Sequence, residues 1–260
     1  MAAKKTATSE EIQIEPLKTE TIKFWLVGKS PLVLNALANK GPNPGIQGLL
    51  APRKKSKSEL AQNVKHDPRA EFRRAPHTLS DPKAPTLLAI PATAVKGALK
   101  SAGVLYPSAS KAMLGRIIWV EGDFLPVFGI PLLFMAVVRN SDVARTPDVR
   151  TRVAIREWAT PVTIRFLAKM LTGTALVNLA ATAGSCIGVG DGRHEKGCLD
   201  FGMFDVVDEA TFLKDHGHLL KLGRVEQERA MDEAAPFDEF SSDTMEWLDG
   251  EMARRGIKIA

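Results

Sequence analysis

The fold is decided by the stretch Leu87-Leu88-Ala89-Ile90-Pro91-Ala92-Thr93-Ala94-Val95-Lys96-Gly97-Ala98-Leu99-Lys100-Ser101-Ala102. Its first five residues are apolar and end at a proline, which predicts a short strand. The following residues predict a helix over residues 93–102, with Thr93 as candidate N-cap and Gly103 as the stop. Lys96 and Lys100 are four residues apart, so they share one face of that helix.

Strands and helices alternate outward from this unit. Strands are predicted over residues 21–28, 116–120, 132–139, 153–160, 162–166 and 201–207, and helices over residues 108–115, 168–183 and 209–233. An order with few strands per helix favours an α+β fold, a ferredoxin-like (RRM-like) antiparallel sheet with helices on one face. We expect a flexible N-terminal arm at residues 1–16, a core at 17–208 and an acidic C-terminal helical extension at 209–260. The part of this extension after residue 233 is expected to be a peripheral helix plus tail.

A long segment at residues 40–86 interrupts the core. Prolines and glycines punctuate it and its apolar periodicity is weak, which predicts a long loop insertion, and such loops are usually functional or disordered. This loop is basic and suits an arm over a phosphate backbone, because mobile cations follow an irregular strand. A variable surface insertion is the alternative. The candidate contacts in the loop are Arg53, Lys54, Lys55, Lys57, Arg69, Arg73 and Arg74.

Charge is segregated along the chain. The formal net charge is +5, yet residues 226–251 are strongly acidic, so the remainder of the chain is more basic than the total indicates. A second basic stretch follows the loop and contributes Arg150, Arg152 and Arg156. Two basic stretches and a separate acidic tail favour a polyanionic partner, RNA or single-stranded DNA. A solvated surface is the alternative interpretation of each cluster.

Several classes of protein are disfavoured. No apolar run reaches the roughly 18 residues of a membrane span, and the N-terminus lacks an apolar signal core, so no membrane partner is expected. The two cysteines, Cys186 and Cys198, do not form a disulfide framework and suit a reducing, cytoplasmic compartment.

A glycine-rich segment spans residues 184–202. Glycines such as Gly188 and Gly190 permit positive φ and close approach, and together with Arg193, His194 and Lys196 they suit a phosphate cradle of backbone N–H groups. The segment matches neither a Walker loop nor a dinucleotide fingerprint. A plain helix-to-strand turn is the alternative. Cys186, His194 and Cys198 match no zinc spacing, so no metal and no cofactor are predicted.

Aromatic and catalytic candidates are few. Trp158 lies beside arginines and is the preferred residue for stacking on bases, whereas Trp25 and Trp119 lie in apolar strands and are expected in the core. His66 and His77 belong to no catalytic motif, so the chain is not expected to be an enzyme.

Three motifs resemble the RAMP superfamily, the CRISPR-associated repeat-binding proteins, and especially its effector-backbone subunits. They are Leu26-Val27-Gly28-Lys29-Ser30-Pro31-Leu32, Ile90-Pro91-Ala92-Thr93-Ala94-Val95-Lys96-Gly97-Ala98-Leu99-Lys100, and the glycine-rich run from Ile187 to Gly197. The resemblance covers roughly residues 20–208 in the family's order. The glycine-rich run departs from the family pattern in its spacing, and the acidic tail has no counterpart there.

The resemblance implies a modified ferredoxin-like core that stacks head to tail along guide RNA and holds its backbone, with other effector subunits as partners. Lys29, Lys96, Lys100 and the glycine-rich segment would then face the strand. The sequence therefore predicts a non-catalytic, sequence-independent binder of RNA or single-stranded DNA in a filament or effector complex.

Three alternatives remain at this stage. One is a phage-type protein that binds and anneals single-stranded DNA. The second is a metal-independent endoribonuclease whose cutting His66→Ala or His77→Ala would abolish. The third is a protein-interaction module that uses the acidic tail, although that tail can instead cover the basic surface until a strand displaces it.

Overall fold

The computed structural model describes residues 16–36, 66–139, 147–196 and 199–255. In chain order the elements are β1 (Thr19–Gly28), β2 (Leu32–Leu34), α1 (Pro68–Arg74), β3 (His77–Thr78), β4 (Leu88–Pro91), α2 (Ala92–Ala102), α3 (Lys111–Ile117), β5 (Ile118–Val120), β6 (Phe124–Pro126), β7 (Pro131–Arg139), β8 (Pro147–Ile155), β9 (Ala159–Leu167), α4 (Gly173–Cys186), β10 (Phe204–Val207), α5 (Glu209–Asp215), α6 (Arg224–Glu233) and α7 (Glu239–Arg255). Short 3-10 helices lie at Gly103–Leu105, His194–Lys196 and Gly217–Lys221.

The predicted α+β class with antiparallel sheets is confirmed. A four-stranded sheet has the order β10-β1-β9-β5, and each neighbouring pair is antiparallel. Together with α2 and α4, these strands follow the chain order β-α-β-β-α-β, which is the order of the ferredoxin-like motif. Two three-stranded sheets, β2-β8-β7 and β3-β4-β6, flank it.

One face of the four-stranded sheet carries the main core. Alternation along β1 directs Phe24 and Leu26 inward, where they join Leu99 of α2 and Leu179 of α4 in one buried cluster. Burial of these side chains removes apolar surface from water and fixes both helices on this face. Helices were predicted on one face alone, but α5 also packs on the opposite face, where Phe212 is fully buried.

Element boundaries differ from the predictions in several places. Helix α2 begins at Ala92 with Pro91 at the N-cap and no side-chain cap, so Thr93 is not the cap. Part of the predicted loop at 40–86 is regular, because the Asp67 carboxylate caps α1 and β3 pairs with β4. Strand β8 begins at Pro147, ahead of the strand predicted from residue 153.

The acidic extension is not peripheral, which corrects the prediction. Met231, Ala234 and Met245 belong to the main buried cluster. Gln227 is fully buried, and the Ser241 hydroxyl accepts a hydrogen bond from the Met135 N–H of β7. The apolar positions are sparse among many carboxylates, so the composition of this segment concealed them. Helices α6 and α7 are therefore part of the folded core.

No helix in the described part of the chain has the length and apolar character needed to cross a membrane.

Candidate nucleic-acid interface

The structure brings together two of the predicted motifs, α2 and the glycine-rich segment. They face each other across a cleft of about 310 Å³. Its lining consists of Thr93, Ala94, Gly97, Ala98, Ser101, Lys111, Val189, Gly190, Arg193, Glu195 and Lys196. We refer to this feature as the α2 cleft.

The helix side of the α2 cleft is made of small side chains. Five lining residues recur at helical spacing and so form one face of α2. They are Thr93, Ala94, Gly97, Ala98 and Ser101. A Cβ atom added at Gly97 would meet nothing within 4 Å. The glycine therefore fills no packing requirement of the fold, and the open space above it admits another chain close to the helix backbone.

The opposite wall is held in place by close backbone packing. Gly190 has φ +86°, and a Cβ there would lie 2.6 Å from the carbonyl oxygen of Val33. The Asp191 N–H donates to the same carbonyl at 2.8 Å. The Asp191 carboxylate accepts a hydrogen bond from Asn35 at 2.6 Å and pairs with Arg152 at 2.7 Å. The glycine-rich segment is thus anchored to β2 and β8.

The predicted phosphate cradle of backbone N–H groups is wrong for most of this segment. The N–H groups of Gly188, Val189, Asp191 and Gly192 all donate to acceptors within the protein. A bonded N–H is not free to bind a phosphate oxygen. The glycines instead allow close backbone contact: a Cβ at Gly202 would lie 1.7 Å from the carbonyl oxygen of Val189. Of Gly188 and Gly190, the two glycines predicted to contact the strand, Gly190 lines the α2 cleft and Gly188 does not.

Side-chain cations supply the charge of the α2 cleft. Lys111 and Lys196 are exposed, and within the described parts of the chain neither forms an ion pair. Arg193 pairs with Glu195 at 3.1 Å. Three cations against one carboxylate leave a net charge of +2 in the lining. Such a surface attracts an anionic chain.

Glu195 joins the two walls. A hydrogen bond from the Ser101 hydroxyl lowers the pKa of the Glu195 carboxyl, and the charges of Arg193 and Lys196 lower it further. The carboxylate is therefore ionised at neutral pH and links the glycine-rich segment to the last turn of α2.

Lys96 and Lys100 do not line the α2 cleft, although its wall is their own helix. The small residues face the cleft, and the two lysines follow a neighbouring stripe of α2. The Lys100 side chain extends over α3, where its Cε would lie 3.4 Å from a Cβ at Gly115. Lys29, at the end of β1, forms a 3.3 Å ion pair with Asp205.

The remaining predicted arginines lie apart from the α2 cleft. Arg69 binds Asp249 of α7, and Arg150 lies 3.1 Å from Asp148. The Arg156 guanidinium lies over the Phe237 ring and donates to the Phe237 carbonyl. Arg73 and Arg74 end α1. The loop cations Arg53, Lys54, Lys55 and Lys57 lie outside the described residues.

Trp158 cannot stack on bases, which corrects the prediction. Its side chain is 0% exposed, and the indole N–H donates to the Ser30 carbonyl at 2.9 Å. The tryptophan fills the core where Gly28 has no side chain, because a Cβ at Gly28 would lie 2.2 Å from the indole nitrogen. Adjacent arginines in the sequence therefore did not indicate exposure.

The histidines are engaged elsewhere. His66 contacts Glu71 at 2.7 Å and Asp148 at 2.8 Å, and His194 contacts Asp200 at 2.6 Å. Burial lowers the pKa of His77. In the described part of the chain no cluster of three or more histidine, cysteine or acidic side chains has the arrangement of a metal site.

Sequence reasoning missed Lys111 and Ser101. Lys111 is the first residue of α3, whose N-cap is Ser110, and it stands alone in the sequence. It reaches the α2 cleft because the turn between α2 and α3 reverses the chain. Ser101 lies inside the predicted helix at 93–102. A single serine there does not indicate a binding site until the glycine-rich segment is known to face it.

Comparison with known proteins gives limited results. No protein-family model matches the chain, and no curated protein matches it. One similar solved structure is described as the cryo-EM structure of the Type III-B Cmr-beta bound to cognate target RNA. It has 12% sequence identity and a TM-score of 0.32, and the match covers 72% of this chain and 61% of that chain.

Proposed function

We propose that this protein holds the backbone of a single strand of RNA or DNA in the α2 cleft. One observation carries the proposal: the small-residue face of α2 lies opposite a rim formed by Lys111, Arg193 and Lys196. The small side chains admit the strand to the helix surface, and the cations release counterions from its phosphates. The segregation of basic and acidic residues along the chain supports the same partner.

The lining favours binding without sequence preference. Asparagine and glutamine read adenine by paired hydrogen bonds, and arginine reads guanine in the same way. Among the described residues, the cleft lining holds neither asparagine nor glutamine. Its one arginine, Arg193, is already paired with Glu195. Contacts to phosphate and sugar position a strand but carry no sequence information.

We propose further that the protein acts without catalysis. Strand cleavage without a metal requires a base near its target, and no histidine is among the described residues that line the cleft. Glu195 does line it, but its lowered pKa makes it a weak proton acceptor. The endoribonuclease alternative would need His66 or His77, and both lie outside the lining.

We propose that copies of this chain associate head to tail along a guide RNA, as repeating subunits of a CRISPR-like effector complex, with other effector subunits as neighbours. The support is the resemblance of the three sequence motifs. The phage-type DNA-annealing protein is the alternative.

Reversal of the charges of Lys111 and Lys196 tests the proposal. The variant Lys111→Glu/Lys196→Glu is compared with Lys214→Glu/Lys221→Glu, which carries the same charge change near the opposite face of the sheet, where both lysines are exposed. Affinity for labelled single-stranded RNA and DNA of equal length is measured by fluorescence anisotropy at several salt concentrations. Each lost phosphate contact lowers the salt slope by about 0.7.

We expect the cleft variant to bind at least about tenfold more weakly, with a salt slope lower by about 1.4 for two contacts. The control should keep most of the wild-type affinity. Equal losses in the two variants would place the interaction outside the α2 cleft. Tight binding of DNA with none of RNA would favour the annealing alternative.

A further inference from the structure

The outer face of the four-stranded sheet, opposite α2 and α4, is covered over only part of its length. Helix α5 lies across one end, where the Trp25 and Phe212 rings stack with centroids 3.7 Å apart and planes 4° apart. Val27 and Ala159 are buried beneath the same helix. The other end of this face has no covering element within the described parts of the chain.

The strand register defines the residues of the uncovered end. Residues directly opposite each other in antiparallel strands point to the same face. Trp119 of β5 lies opposite Arg165 of β9, which lies opposite Thr21 of β1. The next row inward pairs Thr163 with Lys23. We refer to these five residues as the sheet platform.

Trp119 is the one large aromatic side chain of the sheet platform. The inward residues of these strands are apolar and buried, such as Ile118 and Ile164, and the other four platform residues are polar. The Trp119 side chain is half-buried, so part of the indole meets solvent. The Arg165 guanidinium lies over the indole, 5.5 Å from its centroid.

The chemistry of the platform suits a nucleotide. It combines a flat aromatic surface with two cations, Arg165 and Lys23. One carboxylate side chain is adjacent, since the Glu121 N–H continues β5 by donating to the Thr163 carbonyl. Unpaired bases stack on tryptophan and on guanidinium planes, and cations beside them bind the attached phosphates.

We propose that the sheet platform is a second nucleic-acid site, at which an unpaired base stacks against Trp119 and Arg165. This inference rests on the proposed function, since it assigns a site to bases while the α2 cleft holds the backbone. The two sites are connected by α3, which begins with Lys111 in the cleft and ends where β5 begins. The seven residues of α3 span about 10 Å along the helix axis. Strand β5 is the edge of the sheet, so a strand can pass around it.

The test compares two ligands of equal length and charge, a single-stranded oligouridylate and an abasic sugar–phosphate strand. Trp119→Ala is measured against wild type, and Trp247→Ala is the matched control because Trp247 is a 67% exposed tryptophan on α7. We expect Trp119→Ala to bind oligouridylate about tenfold more weakly, which is the effect of one lost stacked base. Binding of the abasic strand should be unchanged.

A second variant tests the sheet platform in case Trp119→Ala does not fold. Trp119→Phe keeps an aromatic ring on β5, and the quenching of tryptophan fluorescence that oligouridylate produces in the wild type should be much reduced in it. Unchanged quenching in Trp119→Phe would overturn the platform. Equal binding of oligouridylate by Trp119→Ala and wild type would overturn it too, as would equal losses for both ligands. Failure of the wild type to bind either ligand would instead refute the proposed function.

Discussion

The guanidinium of Arg69 donates two hydrogen bonds to the Asp249 carboxylate, at 2.7 and 2.8 Å, and joins α1 to α7 across 180 residues of chain. Arg69 is a cation of the predicted nucleic-acid arm, and Asp249 belongs to the acidic C-terminal helix. The hydrogen bonds lower the pKa of Asp249 and raise that of Arg69. The acidic segment thus neutralises part of the basic segment within the fold.

Loss of this pair should destabilise the fold only above acidic pH. The folded-state pKa of Asp249 is lowered from its usual 3.8, so its stabilisation is present above pH 3.8 and lost as the pH falls through the lowered folded-state value. The pair is partly exposed, so Asp249→Asn should lower the free energy of unfolding by no more than about 1 kcal/mol at pH 6. Urea unfolding of both proteins at pH 6 and pH 2.5 measures this. A difference that is larger at pH 2.5 would contradict the linkage.

Freeing Arg69 should also strengthen non-specific binding of a strand. Asp249→Asn leaves the Arg69 cation without this carboxylate, so one further phosphate contact should raise the salt slope by about 0.7. Asp243→Asn is the control, because it removes the same charge from an exposed position of α7. Salt-dependent anisotropy titrations compare the two. If both variants strengthen binding equally, the effect is general electrostatics and not release of Arg69.

Gln227 anchors the acidic extension in the core. The Gln227 side chain is fully buried. Its Oε1 accepts hydrogen bonds from the Leu87 and Leu88 N–H groups. Its Nε2 donates to the Val127 and Gly129 carbonyls, and the Leu222 carbonyl lies farther away, at 3.3 Å.

Gln227→Ala should therefore cost about 3 kcal/mol or more of the free energy of unfolding, since several buried polar groups lose their partner. Asp232→Ala, at an exposed position of the same helix, should change it by less than about 0.5 kcal/mol. Chemical denaturation of the three proteins gives both values. A loss below 1 kcal/mol in Gln227→Ala would show that α6 is dispensable.

The fold was more predictable than the site, for identifiable reasons. Strand β1 shows apolar alternation, and helix α2 has Val95 and Leu99 at helical spacing. Because these local patterns are strong, the ends of both elements were predicted to within about two residues. Buried positions in α6 and α7 were hidden, because glutamine and methionine among many carboxylates make no recognisable apolar stripe.

Two tryptophans show why the site was harder. Trp158 was predicted to be exposed and is fully buried, whereas Trp119 was predicted in the core and is half-buried on the outer sheet face. Which face of a strand is covered depends on distant elements. Gly28 leaves the space for Trp158, while α5 ends before it reaches Trp119. The residues next to each tryptophan in the sequence therefore do not predict whether its side chain is covered.

The most direct test of the α2 cleft is steric and uses Gly97. A side chain at this helical position meets nothing within 4 Å, and replacing a helical glycine adds about 0.5–1 kcal/mol of stability. Gly97→Leu should therefore fold at least as well as wild type while it fills the cleft. Ala181→Leu, on the exposed face of α4, is the control for an added apolar side chain.

The measurement is the affinity of Gly97→Leu for a single-stranded RNA at moderate salt, beside its melting temperature. The account predicts an unchanged or higher melting temperature and binding at least about tenfold weaker than in wild type and Ala181→Leu, a loss of about 1.4 kcal/mol. Wild-type affinity in a stably folded Gly97→Leu would contradict the assignment of the α2 cleft as the site that holds the strand.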